Sequence, residues 1–338
     1  MPFLPVGGQA VIEGVMMRAP SKIAVVVRRA DGATEAMDRP FVSVTMRHRL
    51  LRLPIVRGAV SMFETMYLGM SALNFSADVA AREDSPAPAA VSGDAPATEA
   101  GSDAAPAAGE DELKKPGAAF AVAQGVSVVL ALGLGLLLFV GMPAVVTPLL
   151  QHAFHLEGRA AFGLIDGALR LLVFIGYLLL ISQWREMARV LGYHGAEHKA
   201  IHAIEAGVEL TPENVQRFPR LHPRCGTTFL FIVVLVSIVV FTAIGRPTGI
   251  LPHVLRVASM PLIAGVAFEF IRLSGKYYSV PLVRAITWPG MQFQRLTTRE
   301  PDLEMCAVAI ASLKRVLDDP TVVKLQAQGG RPDVSFVQ

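Results

Sequence analysis

The chain has 338 residues, 52% of them hydrophobic and only 17% charged, with a mean hydropathy of +0.47. Soluble domains carry about a quarter charged residues, so the composition argues against an ordinary soluble protein. A formal net charge of +3, dispersed along the chain, offers no basic helix for nucleic acid, and two cysteines give no disulfide framework.

The first fourteen residues have neither the basic nor the apolar region of a signal peptide. The segment GGQAVIEGVMMR from Gly7 to Arg18 holds three glycines and Glu13. It matches neither a Walker loop nor a dinucleotide fingerprint. It reads as a Gly-permitted tight turn packed on the membrane part, with Glu13 a further candidate partner or ligand. KIAVVVR at Lys22–Arg28 is β-rich, Ala30-Asp31-Gly32 is a turn signal, and residues 35–44 are expected to pair back as a second strand. Residues 56–79 carry Met, Phe and Leu at helical spacing. Residues 80–116 are Ala, Pro, Gly, Ser and acid without an aromatic; such a stretch is expected to be a disordered linker.

Four apolar stretches then approach the roughly 20 residues that cross a hydrocarbon core. They are 120–146, 167–184 with Arg170 near one end, 228–245, and a weaker 251–271 that holds His253, Arg256 and Glu269. Lys and Arg number 27 in the segments 1–118, 182–227 and 272 onward, against 3 in the other two connections. By the positive-inside rule both termini and the 182–227 connection are cytoplasmic, and that arrangement needs an even number of spans. The expected organisation is an N-terminal cytoplasmic α+β region (1–79), the linker (80–116), a four-helix membrane region (117–272) with a cytoplasmic His-rich loop at 185–227, and a cytoplasmic tail (273–338). In the tail, residues 302–317 read as an amphipathic helix capped by Asp302, with Leu303, Ala307, Ile310 and Leu313 on one face. The fold class is mainly α: a polytopic helical membrane protein with about four transmembrane helices and a small α+β cytoplasmic part.

Chemistry concentrates in YHGAEHKAIHAIEAG. At about 100° per residue, His194, Glu197, His198, His202 and Glu205 share an arc of about 140° if the segment is helical. His at i and i+4 can grip one divalent cation, and the order H-x-x-E-H is that of enzymes in which Glu activates a water between two zinc-binding His. Gly192 and Gly195 weaken helix propensity there. Downstream, His222 and Cys225 in HPRCGTTF can add an imidazole and a thiolate. Glu269 is a further carboxylate candidate, because an ionisable residue in a membrane segment is functional by default. His48, His152, His155 and His253 are read as structural or surface residues. Three arrangements stay open: a solvated polar helix face, a closed structural zinc site of His194, His198, His222 and Cys225, and an open site with Glu197 as general base.

GGQAVIEGVMMR, HGAEHKAIHAIE, HPRCGTTF and QRLTTREP resemble the bacterial YqhQ-like membrane family, described as predicted metal-dependent enzymes. The resemblance spans most of the chain apart from the linker and extreme C-terminus; one departure is Ile204, where an aromatic is expected before Glu205. It implies a multi-pass protein of the bacterial inner membrane. The combined expectation is a divalent-metal site, zinc by its ligands, drawn from His194, His198, His202, Glu205, His222, Cys225 and Glu269, with Glu197 catalytic. A hydrolase acting near the bilayer on a membrane-protein or lipid-linked substrate is the leading reading. A membrane scaffold or assembly factor with a structural zinc site is the competing one. Membrane lipid is the expected partner and nucleic acid is not.

Overall fold

The computed structural model describes residues 6–84, 118–156, 158–223, 225–245, 249–277 and 280–327. Its N-terminal part is an antiparallel meander of β1 (Gly7–Val11), β2 (Gly14–Arg18), β3 (Lys22–Arg28) and β4 (Thr34–Pro40) in sequence order. Gly32, at φ +83, and Asp31, whose Oδ1 accepts from the Ala33 amide at 2.9 Å, make the expected β3–β4 turn. β4 stops at Pro40, which has no amide to continue a ladder. Residues 41–44 instead lead into the short helix α1 (Val44–Arg47), where the Thr45 amide donates to the Ser43 hydroxyl at 3.2 Å.

A 3-10 turn at Arg49–Arg52 precedes the long helix α2 (Val56–Asp84). It runs five residues into the stretch read as linker, and the rest of that stretch lies outside the described residues. α2 covers one face of the sheet: Ala72 and Val79 pack with Val11, Ile23, Val25 and Val27. The other face, with Val15, Met17, Ala24 and Val26, packs against two later helices. A strand buried on both faces needs no alternation, which explains the unbroken valines of β3.

Next come α3 (Ala118–Leu136), a π turn at Leu137–Gly141, α4 (Met142–Ala153), α5 (Arg159–Ile181), α6 (Arg185–Glu205) and α7 (Pro212–Gln216). The chain continues through α8 (Gly226–Ile244), α9 (Ile250–Ala258), α10 (Met260–Lys276), α11 (Pro281–Thr297), α12 (Leu303–Lys314) and α13 (Pro320–Ala327). Among the described residues four helical stretches are long and apolar enough to cross a membrane: Gly125–Ala153, Arg159–Ile181, Gly226–Ile244 and Ile250–Gly275. They fit a membrane protein, and their outward Leu and Val side chains suit lipid. α5 and α8 pack closely where Gly163 faces Thr242 and Gly167 faces Ile238, the small-residue contact typical of helices in lipid.

Two expectations change. Arg170 lies in the middle of α5 because the span begins at Arg159, not at 167. It is held there by Asp166, one turn before it. α12 is capped by Asp302 as expected, its Oδ1 accepting from the Met305 amide at 2.7 Å. Its buried residues, however, are Met305, Cys306, Val308, Ala309, Ile310, Ser312 and Leu313, while Leu303 is exposed. α12 is wedged between the sheet and α6, so far more than one stripe is covered.

Candidate metal centre

α6 is helical throughout despite its two glycines. Both are contact points. A Cβ on Gly195 would strike the Arg299 carbonyl oxygen, and one on Gly192 would lie 2.8 Å from Met305 Sδ. The Arg299 amide donates to the Leu191 carbonyl at 2.8 Å, so the segment after α11 is laid directly on α6. Helix propensity is sacrificed here for close approach.

On the side of α6 that carries them, His194 and His198 meet Cys225, the N-cap of α8, with their ligand atoms within 4.8 Å of one another. Nδ1 of His194 lies 2.7 Å from the Thr297 carbonyl and Nδ1 of His198 lies 2.6 Å from the Arg220 carbonyl. A carbonyl only accepts, so both Nδ1 atoms carry the proton and both Nε2 atoms are the ligand-side nitrogens. Cys225 Sγ is 3.3 Å from His194 Nε2.

One turn further on, His202 and Glu205 meet His222 in a second group within the same limit. Nε2 of His202 contacts the Leu221 carbonyl at 2.9 Å, and Nε2 of His222 lies 3.6 Å from Glu205. The groups adjoin, with the His198 and His222 rings 5.7 Å apart. Glu269 is not brought to either group: on α10 it pairs with both the Nε and Nη2 of Arg57, with Arg272 nearby. Of the seven candidate ligands, six gather and Glu269 serves the contact between α2 and α10.

Glu197 is 5% exposed and its Oε2 lies 3.5 Å from His198 Nε2. It shares a cavity of about 100 Å³ with His194, His198, His222 and Cys225. The opposite wall is Val6, Gly7 and Gly8, at the start of β1. A Cβ on Gly8 would lie 2.9 Å from Glu197 Cγ, so only glycine lets this strand sit on the carboxylate. The GGQAVIEG segment is therefore mainly a strand that walls the site, and its tight turn is confined to Ile12 and Glu13. Its Glu13 occupies the β1–β2 turn at φ +50 and accepts from Nε and Nη2 of Arg189, with Tyr193 Oη at 3.2 Å. That links the hairpin to α6.

Gln294 opens the QRLTTREP motif, but nothing in the sequence assigns it a role in the site. Fully buried on α11, it accepts from the His222 amide at 2.7 Å, and its Nε2 donates to the His222 carbonyl at 2.6 Å and to Thr228 Oγ1 at 2.9 Å. One side chain thus ties His222 to the first turn of α8. Thr297 joins Thr227 at 2.9 Å, and Glu300 pairs with the buried Lys199. QRLTTRE thus clamps α6 and α8. Only a polar motif at mixed spacing marked it.

Burial opposes every charge in the cavity, yet the Cys225 thiolate and Glu197 outweigh it at His194, whose pKa rises to about 9. Burial likewise raises the Cys225 thiol, but His194 and His198 pull it well below its ordinary value. Desolvation, and then the charge at His198, push His222 down to about 3, so it stays neutral. Glu197 is raised by burial, with His198 and His194 offsetting only part. The cavity thus sets the Cys225 thiolate against a His194 that holds its proton up to about pH 9, beside a neutral His222 and a Glu197 carboxyl of raised proton affinity. A thiolate and imidazoles are donors for a borderline divalent cation, which would displace the His194 proton.

Four apolar helices and a buried His/Cys/Glu cluster define the class: a membrane-type helical protein with a candidate metal centre. The chain belongs to the family described as Protein of unknown function (DUF1385), whose model matches residues 53–319. It is also similar to "Uncharacterized protein YqhQ" of Bacillus subtilis (strain 168), 29% identical over 311 residues, which cover 92% of each chain. That bears out the YqhQ-like resemblance. No solved structure matches. The matched region contains α6, His222, Cys225 and the QRLTTRE segment, whereas β1 and its glycines precede it.

Proposed function

We propose that His194, His198 and Cys225 hold a divalent cation, zinc by the chemistry of two imidazoles and a thiolate, and that the protein is a metal-dependent hydrolase. The observation that carries this is the shared cavity: three ligand side chains and the buried Glu197 line one space of about 100 Å³. Three protein ligands beside open volume are the pattern of a catalytic site, whereas structural sites are closed by four. The cation, when bound, supplies Lewis acidity toward a carbonyl or phosphoryl oxygen and toward water.

The chain's own groups do the rest. Glu197, its pKa raised by burial, is a stronger base than an ordinary carboxylate and is placed to take a proton inside the cavity. The Thr297 and Arg220 carbonyls hold both imidazoles in one tautomer. Gly7 and Gly8 form part of the cavity wall without filling it with side chains. Cys225 caps the first turn of a span, so the centre lies where a membrane-protein or lipid-linked substrate would present its head. The Lys and Arg distribution supports placing this end and both termini in the bacterial cytoplasm.

The scaffold reading keeps one observation in its favour, that His222 lines the same cavity. As a fourth ligand it would close the site. Metal analysis of the full-length protein tests the proposal: wild type is expected to carry about one equivalent of ligated zinc at this triad, and His198→Ala to lose it. Glu197→Gln is expected to keep the metal while abolishing function in cells. Equal metal in wild type and His198→Ala overturns the assignment, and a functional Glu197→Gln overturns the base.

A further inference from the structure

The opposite half of the helix bundle carries buried charge that the metal centre does not use. On α5, Asp166 is 3% exposed and binds Arg170 at 3.0 and 3.2 Å. Arg170 also donates to the Phe139 carbonyl at 2.6 Å, an acceptor within the π turn, a device often found at functional positions. On α9, Arg256 is 8% exposed. Its Nη2 donates to the Gly245 carbonyl at 2.9 Å. The Arg256 guanidinium lies 5.0 Å from the centre of the Phe241 ring and that of Arg170 lies 5.7 Å from it, so one aromatic ring neighbours both cations.

The charges do not balance. Among the described residues no carboxylate is within ion-pair distance of Arg256, and Asp166, whose charge it feels, is already engaged by Arg170. Arg256 Nε has no partner, and neither does Thr147 Oγ1 on α4; among the described residues these are the two buried side-chain polar atoms left unsatisfied. Thr147 lies one turn before Gln151, whose amide donates to the carbonyl of Gly158, the N-cap of α5. Both orphans therefore lie in the same half of the bundle. Burying a positive charge in excess, with a donor unused, is costly in a membrane.

We propose that this half of the bundle binds an anion of the phosphate class, with Arg256 as the principal donor and Arg170 as the second cation. Position favours that chemistry. Gly245, whose carbonyl accepts from Arg256, ends α8, which puts Arg256 near headgroup level, where phosphodiesters lie and basic pockets between helices take them. Arg170, from the middle of α5, is the deeper of the two cations. Guanidinium forks match phosphate oxygens. Along α8, Phe241 is about 24 Å and Gly245 about 30 Å from Cys225, so the site does not depend on the metal reading.

The test uses full-length protein in an uncharged detergent, measured by native mass spectrometry with phosphatidylglycerol, with diacylglycerol, and with phosphatidylglycerol plus inorganic phosphate. Wild type is expected to hold one phosphatidylglycerol and no diacylglycerol, and Arg256→Gln to bind it about tenfold more weakly, the loss of one charge-assisted hydrogen bond. If phosphate displaces the lipid, free phosphate is the occupant; if it does not, the lipid is. Arg256→Lys keeps the charge but not the fork, and an intermediate affinity supports the site if the glutamine variant fails to fold. Wild type binding neither ligand, or both variants binding as tightly as wild type, overturns the proposal.

Discussion

The two cysteines show how much a residue's chemistry depends on what it faces. Cys225 and Cys306 are both buried and free. Cys225 faces two imidazoles and ionises readily, whereas burial pushes the Cys306 thiol up to about 11. Thiolate is the reactive form. After chelation, alkylation of Cys225 is therefore expected to show little pH dependence across the range where an ordinary thiol ionises, while Cys306 reacts only as the pH approaches about 11; mass spectrometry of the alkylated peptides reads both rates. Added zinc is expected to protect Cys225 alone. Equal rates for the two thiols would contradict the electrostatics. The pairing of Cys225 with the α6 histidines was legible, because H-x-x-E-H and H-x-x-C chemistry is written in residue types. Gln294 was not legible, because a buried amide bonded to backbone 72 residues away leaves no local pattern. Glu269 misled for the same reason, since its partner Arg57 is 212 residues distant.

At the scale of elements, the geometry rests on how closely α6 is approached. Gly195 admits the Arg299 carbonyl and Gly8 admits Glu197. Overpacking such a contact costs about 1–3 kcal/mol. Gly195→Ala is therefore expected to destabilise by about that amount in a thermal or denaturant melt, and to weaken metal binding by moving α6. Gly176→Ala is the control, since an added Cβ there meets nothing within 4 Å. If both variants melt alike, α6 is not held as described. Sequence periodicity exposed α2, the four spans and the β3–β4 pair. It hid the close contacts, because a glycine read locally signals only a weakened helix. It also misjudged α12, whose burial on most sides follows from being packed between α6 and the sheet.

Across the whole molecule, a small three-layer unit and four apolar helices meet at one place. The sheet wall supplies Gly8, α6 supplies His194, Glu197 and His198, the start of α8 supplies Cys225, and α11 fixes the loop between them. No segment of the chain could form this centre alone, which is why its ligands were readable from sequence and its walls were not. The central claim is a cation bound by two imidazoles and one thiolate, with a position left for substrate. X-ray absorption at the metal edge of zinc-loaded protein, wild type beside Cys225→Ser, tests it most directly. The account predicts one sulfur and two imidazole nitrogens in wild type and loss of the sulfur alone in the variant. A shell of four protein ligands including a third imidazole, or a shell unchanged in Cys225→Ser, would contradict it.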